Sequence, residues 1–156
     1  MEDRQNKLNL ALLDAVRWYE IDASKVKKLV ELGANINVKG NNRKTPLIYL
    51  CDRNEVELVL FMVESGADVN AKDTSDATAL IHCCYDEYRK DYAKCLVMIK
   101  ALLVHGADIN LVCENNTALD FIMGNEECEG KQRAIKFFRA HGAKTYLELE
   151  NENQNE

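Results

Sequence analysis

A five-residue stretch returns several times along this chain. Gly33-Ala34-Asn35-Ile36-Asn37 recurs as Gly66-Ala67-Asp68-Val69-Asn70 and as Gly106-Ala107-Asp108-Ile109-Asn110, then fades in Gly142-Ala143-Lys144-Thr145. A second marker keeps step: Thr45-Pro46-Leu47, Thr78-Ala79-Leu80 and Thr117-Ala118-Leu119. Gly33 to Gly66 is 33 residues, and Thr45 to Thr78 is also 33. Two independent markers at one period specify a repeat architecture, in which each unit buries its apolar face only by stacking on its neighbours.

A Gly-Ala-x-x-Asn turn followed twelve residues later by Thr-Pro-Leu resembles the ankyrin repeat, whose period and T-P-L-H-x-A pattern it matches. The resemblance covers roughly residues 8–146. It implies an all-α solenoid of four helix pairs joined by β-turn finger loops. The repeats fall at about 8–39, 43–72, 76–111 and 115–146 within one domain, 1–146. Residues 147–156 are poor in apolar groups and rich in Glu and Asn, which predicts a disordered acidic tail. Arg139 stands where the other repeats have Val30, Val63 and Leu103, and Tyr146 replaces Asn37, Asn70 and Asn110. Such a polar closing repeat reads as the end of a complete small protein.

Within the repeats the local signals are helical. Leu8, Leu12, Ala15 and Val16 follow helical spacing in a first repeat that has no finger before it. Its second helix is expected from about Ser24 to Leu32, capped by Asp22 or Ser24. In repeat 2, Thr45 is a natural N-cap and Pro46 suits the first helical position. Asn54 with Glu57 reads as a capping box for the next helix, and Gly66 ends it by adopting positive φ without penalty. The family places Gly two residues before the Thr; Arg43, Asp76 and Asn115 stand there instead. Arg tolerates left-handed geometry poorly, so the first finger is expected to deviate, and the third is one residue shorter.

Repeats 3 and 4 carry insertions between their helices. Thr78 to Gly106 is seven residues longer than Thr45 to Gly66, and Tyr88, Tyr92, Cys95, Leu96, Ile99, Leu102 and Leu103 extend the second helix backwards at helical spacing. Repeat 4 adds four residues around Gly124–Gly130, which read as a solvated acidic loop.

The charge balance weighs against nucleic acid. Formal net charge is −6, four charges of which sit in the tail, and the nearly neutral body that remains lacks the basic excess usual in a nucleic-acid binder. No apolar run is long enough to span a membrane, and the N-terminus lacks a secretory apolar stretch. The six cysteines include no Cys-x-x-Cys, so they read as core fillers rather than as disulfides or metal ligands. That favours a reducing, intracellular and cytoplasmic setting. His105 and His141 precede helix-ending glycines and suit helix C-termini. No nucleophile–base pair, phosphate loop or paired-ligand motif appears, and Asp120 reads as a capping or polar-face residue rather than a base.

The resemblance implies a protein-binding module: an adaptor, an inhibitor or a host-directed effector, without cofactor and monomeric. A regulatory subunit for a small ligand is an alternative, as is an enzyme with a site hidden in the inserts. In the family, positions flanking Thr-Pro-Leu face the partner. That singles out Lys44, Tyr49, Arg53, His82, Tyr85 and Phe121, with Asn41, Asn42, Asp52, Thr74, Ser75, Ala77, Glu114 and Asn116 beside them. Repeat 2 is locally basic there and suits an acidic partner segment. A second edge, at the turns between paired helices, gathers Trp18, Tyr19, Tyr88, Tyr92, Glu126, Glu127 and Glu129. It would suit a basic segment.

Overall fold

The computed structural model describes residues 2–18, 20–85, 92–124 and 130–155, with the backbone alone for Glu2 and Tyr92. Among these residues the chain is helical and contains no strand. The helices are α1 (Glu2–Arg17), α2 (Ala23–Glu31), α3 (Pro46–Asp52), α4 (Val56–Glu64), α5 (Ala79–Cys84), α6 (Tyr92–Val104), α7 (Ala118–Gly124), α8 (Lys131–Ala140) and α9 (Tyr146–Asn153). Each odd helix up to α7 packs on the even helix that follows it. Inner helices α1, α3, α5 and α7 stack in sequence, while α4, α6 and α8 stack outside them. This is an all-α solenoid.

The recurring Gly-Ala-x-x-Asn stretch is a helix stop joined to a bolt. Gly33, Gly66, Gly106 and Gly142 have φ of +91°, +86°, +86° and +80°, a conformation that glycine adopts without strain. Each glycine N–H and the following alanine N–H return to the helix just ended; Gly66 bonds Val63 O at 3.2 Å and Ala67 bonds Met62 O at 3.0 Å. This is the Schellman pattern, and it satisfies carbonyls that the helix leaves open. The asparagine then reaches the next repeat. Asn37 Oδ1 accepts from Asp68 N, Asn70 Oδ1 from Asp108 N and Asn110 Oδ1 from Lys144 N, all at 2.8 Å. Asn70 Nδ2 also donates to Gly106 O at 2.9 Å and Asn110 Nδ2 to Gly142 O at 3.2 Å. At the N-terminal end α1 supplies the missing rung. Asn9 Oδ1 accepts from Asn35 N at 2.7 Å, and Gln5 Nε2 donates to Gly33 O at 2.8 Å.

The threonines start the inner helices. Thr45, Thr78 and Thr117 are almost fully buried, and each hydroxyl accepts from the backbone N–H three residues on. Leu12, Leu47, Leu50, Leu80 and Leu119 fill the layer between inner and outer helices, with Met62, Met98, Leu102 and Phe138 from the outer side. Cys51, Cys83, Cys84, Cys95 and Cys113 are free thiols buried in the same core.

Four sequence expectations need correction or refinement. Asp22 does cap α2, accepting from Lys25 N at 3.1 Å. Asn54 does not cap α4, whose N-cap is Glu55 with no side-chain bond. Instead Asn54 takes φ of +56° and closes α3, its N–H on Cys51 O and that of Glu55 on Leu50 O. The chain reverses sharply there, and a left-handed residue is what that reversal requires. The first finger deviates as expected: Asn42 and Arg43 both adopt positive φ, at 55° and 57°, where the second finger has only Asp76, at 61°. Gly40 and Lys44 close that finger, as Asp73 and Ala77 close the second. The third closes between Cys113 and Asn116, around two residues instead of three, which absorbs its one-residue deletion.

The fourth correction concerns the tail. Residues 146–153 form α9 rather than a disordered segment. Composition argued for disorder, but a full capping box overrides it: Thr145 Oγ1 accepts from Glu148 N, and Glu148 Oε2 accepts from Thr145 N at 2.8 Å. Arg139 bonds Ala143 O at 3.2 Å and pairs with Glu148 at 2.5 Å. The residue that breaks the apolar pattern of α8 is therefore the one that anchors α9.

Candidate functional site

The candidate site is built on the inner helices, four residues past each buried threonine. Capping by Thr45, Thr78 and Thr117 fixes the first turn of α3, α5 and α7, so Tyr49, His82 and Phe121 occupy one equivalent position in successive repeats. The fingers rise beside them and are tied together. Thr74 N donates to Asn42 O at 2.9 Å, joining the first finger to the second. Cys113 Sγ donates to Ser75 O at 3.0 Å, joining the second to the third.

His82 is the centre of a polar chain across two repeats. Its Nδ1 lies 2.6 Å from Asp52 Oδ1, on α3, and its Nε2 lies 2.9 Å from Asp73 Oδ2, in the second finger. Asp52 also pairs with Lys44 Nζ at 2.5 Å. Burial opposes the charge on Asp52, but hydrogen bonds from His82 and Lys44 outweigh it and hold its carboxyl below the usual range. Asp73 is only 4% exposed, yet its second oxygen accepts from Ser75 N at 2.8 Å and Ala77 N at 3.0 Å. One carboxylate thus shapes the finger and orients the imidazole, and each of its oxygens has a partner.

Beside this chain lies a groove of about 280 Å³, floored by Ile81, walled by Tyr85 and Phe121, and rimmed by Asn42, Ser75 and Glu114. Tyr85 is 63% exposed and meets Phe121 edge to face, with ring centroids 5.2 Å apart. Lys44, His82, Tyr85 and Phe121, singled out from the sequence, all line this groove.

Tyr49 and Arg53 are engaged elsewhere. Tyr49 Oη donates to Asn41 O at 3.2 Å, and Lys44 Nζ sits 6.0 Å from its ring centroid. A Cβ on Gly40 would come within 3.0 Å of Leu13 and 3.4 Å of the Tyr49 hydroxyl, so glycine there lets the finger lie against both. Tyr49 is thus a prop for the first finger. Arg53 donates to the carbonyl oxygen of Arg17, and Arg17 lies 5.4 Å from the ring centroid of Trp18. Trp18, 61% exposed, belongs to the second edge, and Arg53 reaches the residue beside it, Arg17, through that hydrogen bond. Of the other second-edge residues, Tyr19, Tyr88, Glu126, Glu127 and Glu129 lie outside the described residues, and Tyr92 begins α6.

Sequence reasoning missed Asp73. Its signal is local: Asp73-Thr74-Ser75 is an Asx-turn composition, with a carboxylate two residues before the N–H it accepts. Asp120 is a capping residue as expected, and it also holds the chain end by accepting from Thr117 N at 2.8 Å and Tyr146 N at 2.7 Å. Among the described residues, no three His, Cys, Asp or Glu side chains converge as metal ligands, and no helix is long and apolar enough to cross a membrane.

A family model described as ankyrin repeats, three copies, matches residues 12–111 of this sequence. That span is well over half of the 156 residues. No curated protein matches the chain.

Proposed function

The chain belongs to the ankyrin repeat family, whose members are generally protein–protein interaction modules, and we propose that it is a non-enzymatic scaffold binding a partner protein through its fingers and inner helices. The observation that carries this reading is the pair of exposed Tyr85 and half-buried Phe121 beside a finger surface tied together by hydrogen bonds. Exposed aromatic side chains on a preorganised frame are typical anchors of protein interfaces. Both ring nitrogens of His82 are taken up by carboxylates, which leaves none to accept a substrate proton and weighs against catalysis there.

The charge of the first finger indicates the partner. Lys39 and Arg43 are exposed there, and neither is ion-paired among the described residues. A partner segment with acidic residues over the first finger and an apolar residue against Tyr85 and Phe121 suits this surface. The protein is read as a monomeric adaptor, inhibitor or effector in a reducing, cytoplasmic compartment, where its buried free thiols stay unoxidised.

The test is affinity capture with mass spectrometry, using the wild-type protein and a Tyr85→Ala, Phe121→Ala variant as baits. Neither side chain is fully buried, so the variant is expected to fold, which circular dichroism checks. The expected result is a partner set recovered by the wild type and depleted at least about tenfold with the variant, a loss of about 1.4 kcal/mol. Equal recovery by a folded variant overturns this surface.

A further inference from the structure

The outer helices carry a second feature, independent of the finger surface. Lys27 on α2 lies 5.9 Å from the ring centroid of Phe61 on α4. Lys100 on α6 lies 5.6 Å from that of Phe137 on α8. These are the same relation two repeats apart: lysine six residues before its repeat's glycine, phenylalanine five residues before the next. The charge around them is inverted. Lys27 is neutralised by Glu57 at 2.6 Å, one turn before Phe61. One turn before Phe137 stands Arg133.

Two acidic positions of the outer face are also lost. Nine residues before the glycine the successive repeats have Ser24, Glu57, Val97 and Arg133; two residues before it they have Glu31, Glu64, Val104 and Ala140. Val104 is 83% exposed and Val97 is 45% exposed. Neither α6 nor α8 contains a carboxylate, although the whole chain is acidic. Lys100 and Arg133 have no ion pair among the described residues. Between the two helices lies a shallow groove of about 350 Å³, lined by Lys100, Leu103, Val104, Phe137 and His141. His141 stacks on Phe137 at 4.1 Å and donates from Nδ1 to Phe137 O at 2.8 Å, which fixes the groove's closed end.

We propose that the groove between α6 and α8 binds an acidic amphipathic helix of a partner protein. A carboxylate of that helix takes the role against Lys100 and Arg133 that Glu57 has against Lys27, and its apolar side chains cover Val97, Val104 and Phe137. The chain's own α2–α4 contact is the template, and it specifies what the α6–α8 contact lacks. A groove between helices suits a helical occupant read through residues spaced three and four apart. An anionic lipid surface shares the charge but is flat, whereas the site is a groove between two helices.

The probe is a synthetic peptide with leucines along one helical face and glutamates on the others, titrated into isotope-labelled protein while amide and methyl signals are followed by NMR. Expected are saturable shifts at Leu103, Val104 and the Phe137–His141 turn, none with a glutamate-to-lysine peptide, and at least about tenfold weaker binding by Lys100→Glu. Lys100 and Val104 are exposed, so Lys100→Glu and Val104→Glu are expected to keep the fold, which the unperturbed signals of α1 to α4 verify. No shifts at these residues, shifts confined to the fingers, or unchanged affinity of Lys100→Glu overturns the proposal. So do shifts caused by phosphatidylserine vesicles and not by the peptide, or shifts that follow protein concentration alone and mark a second copy as the occupant.

Discussion

Asn70 shows how one side chain carries the repeat. Its Oδ1 accepts from Asp108 N and its Nδ2 donates to Gly106 O, both across the junction between repeats. Net hydrogen-bond contributions are about 0.5–1.5 kcal/mol each, and the site is solvent-exposed, so the loss stays at that scale. Asn70→Ala is therefore expected to lower stability by about 1–2 kcal/mol, read as an earlier urea midpoint at unchanged slope; an unmoved midpoint contradicts the role of the ladder. The glycine and threonine roles were legible in the sequence because each is a local backbone requirement, namely positive φ or an N-cap. The asparagine's role was not, because its partners lie more than thirty residues away. The same holds for His82. Its lateral contact to Asp52, thirty residues away, depends on repeats being in register, which no local rule supplies.

At the level of elements, α9 is the instructive case. Composition counts glutamates and reads them as solvated, while geometry places Glu148 at the third position of a helix whose cap is Thr145. The Arg139 side chain, with Thr145 N, lowers the Glu148 carboxyl from 4.5 to about 2. A carboxyl with a depressed pKa in the folded state stabilises that state fully above its ordinary value, and the contribution is lost as pH falls through the folded value. The Cα chemical shifts of Tyr146–Asn153 are thus expected to stay helical at pH 7 and pH 5 and to lose helical character as pH drops from about 4 toward 2. In Glu148→Gln the weakening is expected already at pH 7, with a flatter acid dependence. Identical profiles for the two proteins contradict the assignment. Helices α3, α5 and α7 were easier to anticipate than α9, since Thr-x-Leu marks each start. The turn after α3 was misread because Asn54 fits two roles, N-cap and left-handed C-cap, and only the tight return of the chain chooses between them.

The whole molecule is a stack in which each repeat contacts its neighbours, so its surface divides into finger, inner-helix and outer-helix faces that run its length. Periodicity alone was enough to read that architecture, because 33-residue self-similarity admits few folds. It did not reveal which face differs from repeat to repeat. The outer face changes from acidic in α4 to basic and apolar in α6 and α8, a contrast visible in the sequence only after the glycines are aligned. The central claim is that a partner protein is held by the fingers and inner helices. Hydrogen exchange of the complex with a captured partner, compared with the free protein, tests it most directly, since protection by a partner appears where backbone is covered or its opening suppressed. The account predicts slowed exchange in fingers 40–44, 73–77 and 113–116 and at the C-terminal ends of α5 and α7, with α2 and α4 unchanged. Protection confined to the outer helices, with the fingers exchanging as in the free protein, would contradict it.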